Sequence, residues 1–506
     1  MEDLRVKIVL DSVHGSVEIP AKYFEAVIDT SYFQRLRRIE QNSCRSVFPS
    51  ARHDRFIHSI GVYHIGSRIA DNISLKYGLS GKNILPDNYK SVLESYKLAC
   101  LLHDVGHTPF SHTFENYFDY EKTKKLLIDR IDDNDYEDDL LKTTKPATHE
   151  AISAYVAVKI FGNKLNFEKD NIDWSLVVRM ITGVRFIKRR NRTFENAMIE
   201  LLHGEIIDAD RLDYVCRDVW AGGYKNLSVD LTRLINSIGI YKDVSGQYSV
   251  VYSSKALNEI EAVLNIKNFQ YLYVLNHHKV LLEQHYLVEA MKLAACDMIG
   301  LPISTADQRD NALRSLCDLS IYFEPKVLGV SRYRLYMPCD DDFVAIMKQS
   351  EGDNPYRQYW LERKYPHVPL WKSKLEYFNI FKSVLGTVSE GIASKLSAML
   401  KSDECKSYIC QHLGLDSPDM IVRGVKAKIS YLDAEKINVS LNNTLIPYSQ
   451  LKHDSFAVIG TNVDFCYIYV NISKLGNGDT REKKMILIEL LKDFISKKLR
   501  GMWVGN

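Results

Sequence analysis

LLHDVGHTPFSH, residues Leu101 to His112, decides how the rest of the chain is read. It packs three histidines and an aspartate into twelve residues, and Gly106 and Pro109 stop any helix just after the adjacent pair His103 and Asp104. An imidazole beside a carboxylate at a helix end can grip one hard-to-borderline metal ion, which leaves His107 and His112 for acid–base work. For a single histidine, an apolar helix LACLLHD ending at a Gly turn is the plainer reading. A cluster of this density favours chemistry.

Upstream, VFPSARHDRFIHSIGVYHIGSRIADNIS leads into a long helix through Ile60, Ile65, Ile69 and Ile73. Arg55 and His58 are three apart and share one face of it. Before that, YFQRLRRIEQ reads as a helix capped from Asp29-Thr30-Ser31, with Phe33, Leu36 and Ile39 on the buried side. Gln34, Arg35, Arg37, Arg38 and Gln41 point elsewhere, and solvated arginines are the plain expectation for such a face. Residues 5 to 19 alternate and turn at His14-Gly15, a small hairpin.

Downstream, residues 120–147 are dense in charge and read as a solvated helical excursion or a mobile lid. Thr148-His149-Glu150 then enters a helix in a way that returns polar groups toward the 101–112 cluster. In HGEIIDADRLDYVCRDVWAGG, residues 203–223, Asp210, Tyr214 and Asp218 are spaced by four and share a helical stripe, flanked by Asp208 and Arg211. Burying so many charges is costly unless they are paired or hold a metal or ligand. A hairpin at Ser245-Gly246 and a helix from Lys255 to about Gly300, carrying His277, His278 and His285, follow. Beyond residue 301 come shorter helices, then VKAKISYL, INVSL and FCYIYVNIS as strands of a small sheet, and a closing helix. The fold class expected is mainly α: a helical core with small β-hairpins over residues 1–300, then a smaller α+β lobe over 301–506 to which no chemistry is assigned.

The 506 residues are 46% apolar and 26% charged, with a formal net charge of +2, so charge implies neither nucleic acid nor membrane as partner. Nine scattered cysteines with no CxxC pair favour a reducing compartment. With no apolar signal segment at the start and no run approaching a membrane span, the expected location is the cytoplasm.

His58, His103, Asp104 and Asp210 are the candidate metal ligands. They come from three separated helices, which only a compact helical core can bring together. Two imidazoles and two carboxylates suit Fe, Mn, Mg, Co or Zn alike.

FQRLRRIEQ, VFPSARHDRFIHSIGV, LLHDVGHTPFSH, THE and IIDADRLDYVCRD, in that order between Lys7 and Lys279, resemble the deoxynucleoside triphosphate (dNTP) triphosphohydrolases of the HD superfamily of metal phosphohydrolases. That group includes bacterial dGTPases and the SAM-and-HD-domain dNTP hydrolase of eukaryotes; the core is expected here without a SAM domain. The resemblance implies an HD helical core and one divalent metal ion on His58, His103, Asp104 and Asp210, with further Mg accompanying the substrate triphosphate. It implies phosphate contacts from Arg55 and Arg211, and Gln41, Tyr214 and Asp218 around the sugar 3′-hydroxyl. His107, His112 and His149 become catalytic, with His112 as the acid and His149 and Glu115 as an orienting dyad, Glu115 standing where the family usually has Asp. The reaction implied cuts between nucleoside and triphosphate. Asn276 stands where the family commonly has a Tyr against sugar C2′, which opens the discrimination against ribose. Lys7, Asp29, Gln34 and Arg37 match positions where the eukaryotic enzyme binds an activating guanine nucleotide, though Leu10 replaces a polar residue there. A guanine nucleotide or dNTP effector and a homo-oligomer are implied accordingly. The competing readings are an HD phosphohydrolase acting on ribonucleotides or another phosphoester, and a nucleotide-sensing protein with slow turnover.

Overall fold

The hairpin at the start forms as patterned. Val6–Asp11 (β1) pairs antiparallel with Gly15–Pro20 (β2), and Gly15 takes the left-handed φ of 76° that the turn needs. The computed structural model describes residues 5–78, 84–189, 191–204, 206–302, 305–329, 333–385, 390–425, 436–441, 444–451, 464–476 and 478–503.

The segment capped by Thr30 is shorter than its pattern. Ser31–Gln34 is α-helical and Arg35–Arg38 tightens into a 3-10 turn. Phe33, Leu36 and Ile39 are fully buried. Arg35 corrects the expectation of a solvated face: it is buried, and its guanidinium donates to the carbonyls of Pro338 at 2.6 Å, His107 at 2.7 Å and Val105 at 3.4 Å. Loop carbonyls that have no helix or sheet partner need such a fork of donors.

Four helices frame the core: α1 (Arg55–Ile73), α2 (Tyr89–Leu102), α3 (Thr148–Phe161) and α4 (Ala209–Gly222). Asp54 caps α1 by accepting from Ile57 N, and Asp208 caps α4 by accepting from Arg211 N. α1 packs on α2 and α4. Its approach to α2 needs a bare backbone at Gly66, where a Cβ would lie 2.4 Å from Cys100 Sγ.

The charged stretch 120–147 is helical, as expected, but not solvated throughout. It folds as helices Tyr120–Ile128 and Tyr136–Leu140, and between and within them Asp133 and Asp139 turn inward onto the buried Arg179, at 2.7 and 3.0 Å. The expected helix from Lys255 to Gly300 also breaks, into Leu257–Phe269, a π-helical stretch Gln270–Leu275, and His278–Ile299.

The described residues fall into two units, one within 1–270, 291–352 and 430–454, the other within 271–290, 353–429 and 455–506. A single boundary near residue 300 is therefore not what the chain adopts. Residues 291–352 pack with the first unit, where Pro338 and Asp340 meet Arg35 and Phe110. INVSL likewise leaves the expected C-terminal sheet. Its strand Asn438–Leu441 joins the hairpin strands Ile238–Lys242 and Tyr248–Ser253 in a four-stranded sheet completed by Thr444–Pro447. The second unit has an antiparallel sheet of His367–Pro369, Phe465–Asn471 and Met420–Val425, with a core that includes Trp371, Tyr377, Phe381, Leu487 and Leu491. Of VKAKISYL, residues 426–432 lie outside the described residues. The chain is mainly helical with small sheets. Among the described residues, no helix is long and apolar enough to cross a membrane.

Candidate active site

His58 sits in the first turn of α1, fully buried, and His103 at the C-terminal end of α2. His103 Nδ1 lies 2.9 Å from Cys100 O, and a carbonyl only accepts, so that nitrogen carries the proton. His58 Nδ1 lies 2.7 Å from Asp213 Oδ2 and is protonated for the same reason. Both Nε2 atoms are then left with lone pairs, and they face one another at 3.3 Å. Asp210 Oδ1 stands 3.0 Å from His58 Nε2 and 3.7 Å from His103 Nε2; Asp104 Oδ2 stands 3.7 and 3.5 Å from the same two atoms. Electron pairs converging with no hydrogen between them repel, and a cation turns that repulsion into coordination. The donors fit one divalent ion. In its place a proton would be held: burial works against a charged His58, yet hydrogen bonds to Asp210 and Asp213 outweigh it and raise the imidazole to about 9.

Asp213 is the site residue that the spacing-by-four stripe passed over. Fully buried, it accepts from His14 Nε2 at 2.6 Å and from Arg217 Nε and Nη2 at 2.8 Å each, while Arg217 Nη2 reaches back to Asp11 at 2.6 Å. α1 admits it only because residue 61 is glycine, where a Cβ would come within 1.9 Å of Asp213 Oδ1. The readable signal was the Asp213–Arg217 spacing of four.

The second group comes from the loop after α2 and the first turn of α3. Glu115 bridges two imidazoles, with Oε2 2.9 Å from His112 Nδ1 and Oε1 2.9 Å from His149 Nδ1, and Oε1 also accepts from His149 N at 3.1 Å. His107 stacks on His149 with ring centroids 4.5 Å apart, and His112 stands edge-on to both. Burial lowers His149, but Glu115 more than compensates and raises it to about 9. Burial would raise Glu115, but His112 and His149 hold its carboxyl far below the usual range. His107 is driven neutral by burial and by Arg55, and its Nε2 is buried with no hydrogen-bond partner. The loop that presents His107 and His112 puts Phe110 and Ser111 in the left-handed region, φ 52° and 53°. Such non-glycine residues cost on the order of 1–3 kcal/mol each, so surrounding contacts must impose them.

The remaining expected site residues divide. Arg55 is buried and donates to Asp104 at 2.6 Å, Ser111 Oγ at 2.9 Å and Gln41 O at 3.1 Å, so here it orients Asp104. Gln41 is buried with Oε1 unpartnered. Arg211 donates to Asp208 at 2.9 Å, and Asp218 accepts from His53 at 2.6 Å and Asn42 at 3.1 Å. Tyr214 shares α4 with them. Asn276 lies in the second unit, where its amide donates to Tyr271 O at 2.8 Å. Lys7 pairs with Asp29 at 3.4 Å, and Arg37 donates to Gln34 at 2.9 Å while lying over the Phe56 ring.

Imidazoles and carboxylates converging from separate helices make a candidate centre for one divalent cation, and residues 55–214 match the family model described as HD domain. The chain thus carries an HD domain, and over somewhat under half of its length it is similar to proteins named deoxynucleoside triphosphate triphosphohydrolase. A protein of Dictyostelium discoideum named deoxynucleoside triphosphate triphosphohydrolase SAMHD1 homolog is 32% identical over 238 residues, 47% of this chain and 40% of that protein. An uncharacterized protein of Methanocaldococcus jannaschii is 28% identical over 282 residues, 54% of this chain and 47% of its own length. The chain thus spans about half the length of these curated relatives. A solved phosphohydrolase from Bacteroides thetaiotaomicron shares the fold, with a TM-score of 0.59 at 20% identity over 92% of this chain and 99% of that one.

Proposed function

We propose that the chain hydrolyses deoxynucleoside triphosphates to a deoxynucleoside and inorganic triphosphate, with one divalent cation held by His58, His103, Asp104 and Asp210. The observation that carries this reading is the pair of Nε2 lone pairs 3.3 Å apart, faced by two carboxylates, in a chain whose relatives include proteins named for that reaction. A bound cation supplies Lewis acidity toward water and the phosphoryl oxygens. The chain's own residues do the rest. Asp213 and Cys100 O fix the tautomers of His58 and His103, and Arg55 orients Asp104. His149, charged against Glu115, presents a positive edge to phosphate oxygens. His112, held at Nδ1 by Glu115 and 62% exposed, takes up a proton from solvent at Nε2, which burial disfavours at rest, and passes it to the departing 5′-oxygen. Arg211 is offered to the triphosphate, and Gln41, Tyr214 and Asp218 to the sugar. Lys7, Asp29, Gln34 and Arg37 as an effector site, and assembly into a homo-oligomer, are further parts of the same proposal.

The test is incubation with each dNTP and each ribonucleoside triphosphate in the presence of Mn or Mg, with products resolved by anion-exchange chromatography. Free deoxynucleoside plus triphosphate is expected. Pyrophosphate or monophosphate as product, turnover of ribonucleotides alone, or binding without turnover would each overturn it.

A further inference from the structure

The loop that carries His107 and His112 is gripped from outside by Tyr322, Asp340 and Phe343, which the HD-domain match does not reach. Asp340, buried in the first turn of the helix Asp340–Gln349, accepts from Phe110 N through Oδ1 at 2.6 Å and from Glu40 N through Oδ2 at 2.9 Å. Both carboxylate oxygens are therefore spent on main-chain N–H groups, one of them on the first of the two left-handed residues. Glu40 closes the other side of the clamp: its carbonyl accepts the Ser111 hydroxyl, whose oxygen accepts in turn from Arg55 Nε at 2.9 Å. The Tyr322 hydroxyl donates between the carbonyls of Gly106 and His107, 3.2 Å from each, and Arg35 lies over its ring while donating to His107 O. Phe343, one turn along from Asp340, packs edge-on against Phe114 with centroids 5.0 Å apart. Asp341 next door is exposed and pairs with Arg38.

We propose that Asp340 is a positioning residue for the 106–114 loop, holding His107 and His112 in register with His149, and that Tyr322 assists it. The inference rests on the reading above that these histidines act on a phosphate ester. An Asn at 340 keeps one acceptor and turns an amide N–H toward the second donor, so the turn relaxes without loss of volume.

The full chain with histidine-selective isotope labelling tests this in two ways. On whichever phosphoester the wild type hydrolyses, Asp340→Asn lowers kcat on the order of 10- to 100-fold, the size expected of a small misplacement, with KM and bound cation unchanged; Asp341→Asn leaves all three unchanged. In a His112→Ala background Asp340→Asn costs less than it does in the wild type, because the part of its effect that passes through His112 is already gone. Independent losses that multiply would overturn the proposal. Without any substrate, Asp340→Asn shifts the imidazole resonances of His107 and His112 and leaves those of His58 and His103 in place; unmoved His107 and His112 signals overturn it. That second readout still decides if the wild type proves to hydrolyse no dNTP. Should Asp340→Asn fail to fold, Tyr322→Phe, which removes one hydroxyl, is read by the same signals.

Discussion

At the scale of single residues, the metal pocket depends on which nitrogen of each histidine carries a proton. Asp213 sets this for His58 and is itself fixed by Arg217 and His14. Replacing Asp213 by Asn keeps the shape but lets the His58 ring adopt either tautomer. Cation affinity should fall about 10- to 100-fold, as for other supports of ligating histidines, and titration with Mn followed by electron paramagnetic resonance would measure it. The proposed ligands and the histidine cluster could be nominated from the sequence because an adjacent His103-Asp104 pair and three histidines within twelve residues are rare. Asp213 was legible only through its spacing of four from Arg217, since the glycine on another helix and the histidine in a hairpin that complete its role lie far away in the chain. The Glu115–His149 pair gives a second prediction. His149 stands at about 9 against an ordinary 6.5, so its contribution to stability is whole below 6.5 and is lost as pH rises through about 9. Glu115 is held below its ordinary 4.5, so its contribution is present above that value and is lost as pH falls beneath it. Melting temperature in the wild type should therefore decline between pH 6.5 and about 9 more steeply than in Glu115→Gln, where His149 has lost the partner that raised it. Parallel declines would show that the pair contributes nothing.

At the scale of elements, charge density misled where hydrophobic pattern did not. Ile60, Ile65, Ile69 and Ile73 announced α1 correctly, and all four are fully buried. The charged stretch 120–147 looked solvated because Arg179, the partner of Asp133 and Asp139, lies 46 and 40 positions further on. Removing that guanidinium takes the buried cation away from two buried carboxylates. Arg179→Ala should destabilise the protein by about 3–5 kcal/mol, the range for breaking a buried pair, as read from urea denaturation. A lid would behave otherwise, with stability untouched and KM changed. The break at Gln270–Leu275 was also hidden, since a helical pattern running from Lys255 to Gly300 does not show where one helix is divided between two units.

At the scale of the whole molecule, the candidate ligands reach the pocket from α1, the end of α2 and the start of α4, positions separated by up to 152 residues along the chain. The sequence pointed to these helices meeting, but it did not show that segments within 291–352 and 430–454 would belong to the same unit, because those segments carry none of the candidate ligands. A site assembled from such distant positions exists only in the folded state. A cation that binds it must therefore stabilise the fold, by about 2.7 kcal/mol at a hundred times its dissociation constant. The midpoint of thermal unfolding should climb with added Mn or Mg, fall back on chelation, and stay flat in Asp210→Ala, whose pocket has lost the carboxylate 3.0 Å from His58. Three outcomes separate the physical alternatives. A rise in the wild type alone assigns the effect to this pocket, and a rise in both proteins places the cation elsewhere. A wild-type midpoint indifferent to cation but sensitive to pH near 9 would mean that His58 and Asp210 share a proton where the ion was expected.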